Sequence, residues 1–219
     1  MTDGEMRLKG QEIVNMMKDI TISDNVIIEQ IKERDFLVGI KLMSGRNLFM
    51  EAVNNNRLIV AKALKGMGAD VYLKCDGSLT LGNALNLAKS SEMIDYLHEI
   101  GLEVIDKFDM KEKEVHPAIL WAKNNKFDMV DLWRNKAISA NTDQNFMHDL
   151  NMGIVKQITM MNQVDGLVYL LKDDALYSIY MNEIRPNVSD DALKMTKKGL
   201  KAVQDLSLAD RIKEIGKKR

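Results

Sequence analysis

Gly45-Arg46-Asn47-Leu48-Phe49-Met50-Glu51-Ala52-Val53 opens the stretch that decides the fold. A turn glycine leads into a short helix whose Leu48, Phe49, Ala52 and Val53 share one face, and Asn54-Asn55-Asn56 breaks it. A second helix follows in Leu58-Ile59-Val60-Ala61-Lys62-Ala63-Leu64-Lys65. Gly66-Met67-Gly68 ends that helix, with Gly68 suited to the left-handed conformation of a helix C-cap. Asp70-Val71-Tyr72-Leu73-Lys74 reads as extended and enters a turn through Asp76-Gly77. The unit is therefore helix, turn, helix and hairpin-like loop.

The same order returns in Asn83 to Ala88 with Met93 to Gly101, and again in His116 to Ala122 with Phe127 to Trp133. Ala52, Ala88 and Ala122 hold equivalent places and are 36 and 34 residues apart (88 − 52 and 122 − 88). On these residues the segments resemble ankyrin repeats, whose unit is about 33 residues. Gly45-x-Asn47-Leu48-Phe49-Met50-x-Ala52 resembles that family's G-x-T-P-L-H-x-A, and Ile59-Val60 through Gly68-Ala69-Asp70-Val71 resembles its V-V-x-L-L-x-x-G-A-D-V. Pro117 stands near the start of the third inner helix, where its missing N–H costs nothing. The second unit departs from the pattern by a longer lead, Asp76 to Gly82, and a shortened turn at Lys89-Ser90-Ser91-Glu92. The third lacks the closing Gly-Ala-Asp.

The flanks extend this reading. Glu12 to Asp19 and Ser23 to Met43 are expected as helices, with Ser23 and Asp24 as N-caps, forming a helical N-terminal cap over residues 1–43. Residues 44–135 hold about three ankyrin-like repeats. Residues 136–219 are expected to hold a degenerate fourth unit, beginning at Asn145 to Leu150, and a helical C-terminal cap after Pro186. The fold expected is an all-α, ankyrin-like solenoid in one continuous domain.

In such a stack Leu48, Ala52, Val60, Leu64, Leu85, Ala88, Ile94, Leu97, Ile119, Ala122 and Val130 serve as scaffold. The solvent-facing positions on inner helices and loop tips are then the candidate protein contacts: Arg46, Glu51, Asn54, Asn55, Tyr72, Lys74, Asp76, His116, Trp121, Lys123 and Asn124. Trp121 stands out as a possible hot spot, while Trp133 is expected in the core.

Composition narrows the function classes. Lys and Arg number 31 against 32 Asp and Glu, a formal net charge of −1, which argues against a general electrostatic grip on nucleic acid or lipid. The single cysteine, Cys75, permits no intramolecular disulfide, and with no leader-like apolar segment near Met1 and no apolar run of membrane length the expected setting is the cytoplasm. His98, His116 and His148 stand apart without ligand spacing, so no metal site is expected. Gly66-Met67-Gly68 lacks the Lys-Ser/Thr ending of a phosphate loop. Asp173-Asp174 and Asp190-Asp191 read as caps or solvated pairs, and no nucleophile pairs with a base, so neither cofactor nor catalysis is expected. The basic positions Lys194, Lys197, Lys198 and Lys201 read as a solvated helix face.

The function expected is non-enzymatic: a protein partner bound through the concave repeat face by a monomer, in the manner of an inhibitor or immunity-type protein. A secreted ankyrin effector engaging host proteins is the alternative within that class. A small enzyme in the C-terminal third from Asp143 onward, and a self-assembling architectural repeat, are the alternatives outside it.

Overall fold

The computed structural model describes residues 2–75, 82–103, 115–140, 143–161 and 164–184. Every named element among them is helical, and no helix among them is long and apolar enough to cross a membrane. The described residues divide into two compact units, one running up to Pro117 and the other from Ala118 onward.

The first unit begins with α1 (Asp3–Lys18), well before the expected Glu12. Thr2 and Glu5 close a reciprocal capping box: the Glu5 N–H donates to Thr2 Oγ1 and the Thr2 N–H to Glu5 Oε2, 2.7 Å away. Helix α2 (Asp24–Lys32) starts after Ser23 as expected but stops eleven residues short of Met43 (43 − 32). A single 3-10 turn over Asp35–Leu37 follows. From Val38 to Met43 buried and exposed residues then alternate one for one, the period of an extended segment rather than a helix. The Leu42 N–H accordingly donates across a hairpin to the Arg46 carbonyl at 2.8 Å.

Helices α3 (Leu48–Asn54) and α4 (Leu58–Gly66) form the next pair. A 3-10 turn over Ala84–Leu87 and α5 (Ser91–Glu99) form the third. Helix α1 packs on α2 and α3, α2 on α4, α3 on α4 and on the Ala84–Leu87 turn, and that turn on α5. The pairs are thus stacked, with α1, α3 and the 3-10 turn in one row. The third inner element was expected to be a helix and is only one 3-10 turn. Seven residues separate its start from that of α5 (91 − 84), against ten between the starts of α3 and α4 (58 − 48), so a seven-residue helix and a reversal do not both fit.

Backbone detail recurs at the repeat length. The starts of α4 and α5 are 33 residues apart (91 − 58), as are Gly68 and Gly101 (101 − 68), which share a φ of 89°. Each of these glycines follows the same exit from its helix: Gly68 N–H to Lys65 O with Ala69 N–H to Leu64 O, and Gly101 N–H to His98 O with Leu102 N–H to Leu97 O. Two long side chains staple adjacent pairs. The Arg57 guanidinium donates to the carbonyls of Met17, Asp19 and Ile22 and to Asp24 Oδ1, while the Lys89 ammonium donates to Asn54 O and Ser90 Oγ to Asn56 Oδ1. Both sit at the start of an outer helix and reach back to the preceding turn.

In the second unit α6 (Pro117–Lys123) and α7 (Phe127–Ala140) repeat the α3–α4 arrangement. The two inner helices are seven residues long, the outer helices begin ten residues later (127 − 117 and 58 − 48), and Asn125 and Asn56 turn the chain with the same φ of 55°. Residues 144–161, where a short inner helix and a turn were expected, form instead one 18-residue helix, α8 (Gln144–Met161). Leu150, Ile154, Val155 and Ile158 give it a continuous buried stripe with no glycine or proline stop at the expected turn. Helices α9 (Val164–Lys172) and α10 (Asp174–Ile179), the latter passing into a π-helical turn over Tyr180–Ile184, pack on α8. The expected C-terminal cap after Pro186 lies outside the described residues.

All eleven positions read as scaffold are fully buried, and so is Trp133. At about 25 cal/mol per Å² of apolar surface removed from water, each of the larger side chains contributes roughly 1.5–3 kcal/mol, and this burial holds the stack.

Candidate functional site

The first unit presents two hairpins, one closing Leu42 on Arg46 and the other Cys75 on Gly82. Their closing residues are 33 apart in sequence (75 − 42), so the hairpins are equivalent parts of successive units. Alternation along each extended arm buries Ile40, Leu42, Val71 and Cys75 and leaves Lys41, Met43, Tyr72 and Lys74 exposed. The hairpins are tied together. The Cys75 thiol donates to the Gly45 carbonyl at 2.9 Å, and Asn47, the N-cap of α3, donates from Nδ2 to the Asp70 carbonyl at 2.6 Å. Met43 is 87% exposed and Tyr72 61%. The Tyr72 hydroxyl donates to the Ile100 carbonyl at 3.0 Å, and its backbone N–H is held by Asp70 Oδ1, so an exposed ring is fixed at both ends.

Tyr72 and Lys74 therefore face solvent as the sequence suggested, but others of the candidate contacts do not. Glu51 is buried, and Arg46 is half-buried beside it with Nη1 3.3 Å from Glu51 Oε1; a carboxylate on the inner helix is kept out of water by its neighbours and neutralised there. Asn54 and Asn55 are half-buried, and Asn55 spends its amide on the Glu51 carbonyl at the end of α3. His116 is also buried rather than solvent-facing, and burial pushes its pKa down to about 3, so the ring is neutral. It precedes α6 by one residue, as the N-caps Asn47 and Asn83 precede α3 and the third inner element. That position belongs to the helix start, and the 33-residue step from Asn83 (116 − 83) was the signal for it.

Trp121, Lys123 and Asn124 belong to α6 and the turn after it in the second unit. Trp121 is half-buried with Nε1 enclosed and without a hydrogen-bond partner. Lys123 and Asn124 are exposed, and Asn124 caps α6 by donating to the Leu120 carbonyl at 2.8 Å. Asp76 lies outside the described residues. Sequence reasoning missed Met43 and Lys41 because their segment was assigned to a helix; the period-two alternation over 38–43 was the available signal.

The second unit holds a buried polar network. Arg134 on α7 donates from Nε to Asn151 Oδ1 at 3.0 Å and from Nη1 to Asp173 Oδ2 at 2.6 Å, while Asp173 Oδ1 accepts the Leu176 N–H and so caps α10. Burial alone would raise the Asp173 carboxyl, but the hydrogen bonds from Arg134 and the Leu176 N–H hold it below its ordinary range. For Arg134, burial works against the charge and the Asp173 hydrogen bond more than restores it. Tyr169 stacks on Phe127 at 4.5 Å and donates to Asp131 Oδ1 at 2.6 Å, and burial followed by that carboxylate pushes its phenol well up. The groups of this network are engaged with one another, joining α7, α8, α9 and the start of α10, which is a structural arrangement.

Among the described residues no three His, Cys, Asp or Glu side chains gather as a metal site. No protein-family model, curated protein or solved structure matches this chain.

Proposed function

We propose that the chain is a degenerate ankyrin-type repeat protein that acts without catalysis, by binding a partner protein through the tips of its repeat hairpins. The observation that carries this reading is Tyr72, whose ring is 61% exposed while its hydroxyl and backbone are both anchored. An aromatic presented rigidly loses little conformational entropy on contact and offers a large apolar area. Met43 on the neighbouring tip adds an adaptable apolar surface. The 33-residue recurrence of helix starts, glycine exits and hairpins supports the repeat assignment. Whether the protein serves as an inhibitor, an immunity-type protein or an effector follows from the partner.

The test is affinity capture from native extract with wild type beside a Met43→Ala/Tyr72→Ala variant whose circular dichroism and unfolding midpoint are unchanged. Capture of one protein by wild type and its loss by the variant supports the reading. Equal capture by both overturns it.

A further inference from the structure

We propose that the hairpin tips recognise an acidic, extended segment of the partner protein, with Lys41 and Lys74 reading its carboxylates. This inference rests on the partner-binding role assigned to the tips above. Lys41 and Lys74 precede the closing residues Leu42 and Cys75 and are 33 positions apart (74 − 41), so successive units carry the same exposed cation at the same place. Other residues repeated between units have structural reasons. Gly68 and Gly101 share a positive φ that strains any other residue. An exposed lysine has no such reason to recur in repeats whose other exposed positions have diverged. The next 33-residue step in sequence is Lys107, which lies outside the described residues and forms no part of the site.

The surroundings favour an anion. The described tip residues 41–46 and 72–75 include Lys41, Arg46 and Lys74 and no carboxylate. Glu51, the acid nearest in the helix behind, is buried and faces Arg46. The Asp70 carboxylate lies at the base of its hairpin and accepts the Tyr72 N–H. The Lys41 stem lies over the tip glycine, with its Cε 3.9 Å from where a Cβ of Gly45 would stand, and the Cys75 sulfur is 3.8 Å from that same point. Stacked helix pairs repeat at about 10 Å, close to three residues of extended chain. Carboxylates three residues apart, with apolar residues between them, would meet the two lysines with Met43 and Tyr72 beside them. The compact ammonium suits such single-point contacts at a wet rim.

Fluorescence anisotropy of a fluorescein-labelled Glu-Ser-Leu repeat peptide tests this, with a Lys-Ser-Leu repeat and oligothymidylate as competitors. The acidic peptide is expected to bind, to weaken with added salt, and to lose about tenfold in affinity in Lys41→Gln/Lys74→Gln, with recovery in Lys41→Arg/Lys74→Arg. No binding, equal binding by the Gln variant, or tighter binding of the oligonucleotide overturns the proposal. So does a wild-type dimer in light scattering that the Gln variant dissociates, which would give the face to a second copy. If a captured partner needs Met43 and Tyr72 but ignores both salt and the Gln substitutions, the acidic segment is wrong and partner binding through the tips stands.

Discussion

Gly68 and Gly101, 33 residues apart (101 − 68), hold the same φ of 89° at the ends of α4 and α5. A Cβ at Gly68 meets nothing within 4 Å, so Gly68→Ala isolates the conformational cost of a left-handed residue, about 1 kcal/mol. Gly82 also has a positive φ, and its Cβ would stand 2.2 Å from Nδ2 of the buried Asn86. Gly82→Ala should therefore destabilise by more than Gly68→Ala. Urea unfolding midpoints of the two variants check the order.

Arg57 joins the first helix pair to the second through three carbonyls and one carboxylate, with its side chain only 15% exposed. Arg57→Met keeps the stem and strands those acceptors, at a cost of about 3 kcal/mol. Arg57→Lys should restore little of this, because a single ammonium cannot reproduce the planar fork. Hydrogen exchange is the readout: protection should fall first in α1 and α2 and less in α4.

His116 is neutral in the fold, with its pKa pushed down to about 3, and regains an ordinary value near 6.5 on unfolding. Between these values the unfolded chain binds the extra proton, so stability is fully present above about pH 6.5 and falls as the pH drops, by up to about 1.4 kcal/mol per pH unit. Unfolding free energies measured between pH 5 and 7 should show this slope, and a folded His116→Gln variant should lack it.

Asp173 behaves differently. Its carboxyl is held below the ordinary range, so its contribution persists above about pH 4, the unfolded value, and is lost as the pH falls through the lower folded one. Removing one partner leaves the other charge half-desolvated. Arg134→Met and Asp173→Ala, taken singly and together in a double-mutant cycle, should couple by about 2 kcal/mol. Independent effects would show that the 2.6 Å contact contributes nothing.

The middle of the chain was largely legible because apolar spacing and glycine stops agree there: Leu48, Val60, Leu64, Ile94 and Leu97 are buried, and Gly68 turns the chain at the expected place. The Ala84–Leu87 turn was not legible as such, since its composition suits a helix and only the three-residue deficit in unit length removes it. Glu51 and His116 were misplaced because residue type was taken to indicate exposure. Glu51 has Arg46 beside it, and His116 occupies the cap position of its unit. Met43 was hidden by an assumed continuation of α2, although Ile40-Lys41-Leu42-Met43 already alternates. The Arg134 network joins residues up to 39 positions apart, a distance at which no local pattern operates.

The most direct test of the account is site-specific photo-crosslinking in native extract, with benzoylphenylalanine at position 43, 72 or 59. Ile59 is 58% exposed on the outer helix α4 and so matches Tyr72 in exposure without lying on a hairpin. The account predicts one shared protein adduct from positions 43 and 72 and none from 59. An adduct from position 59 with none from 43 or 72 would contradict it.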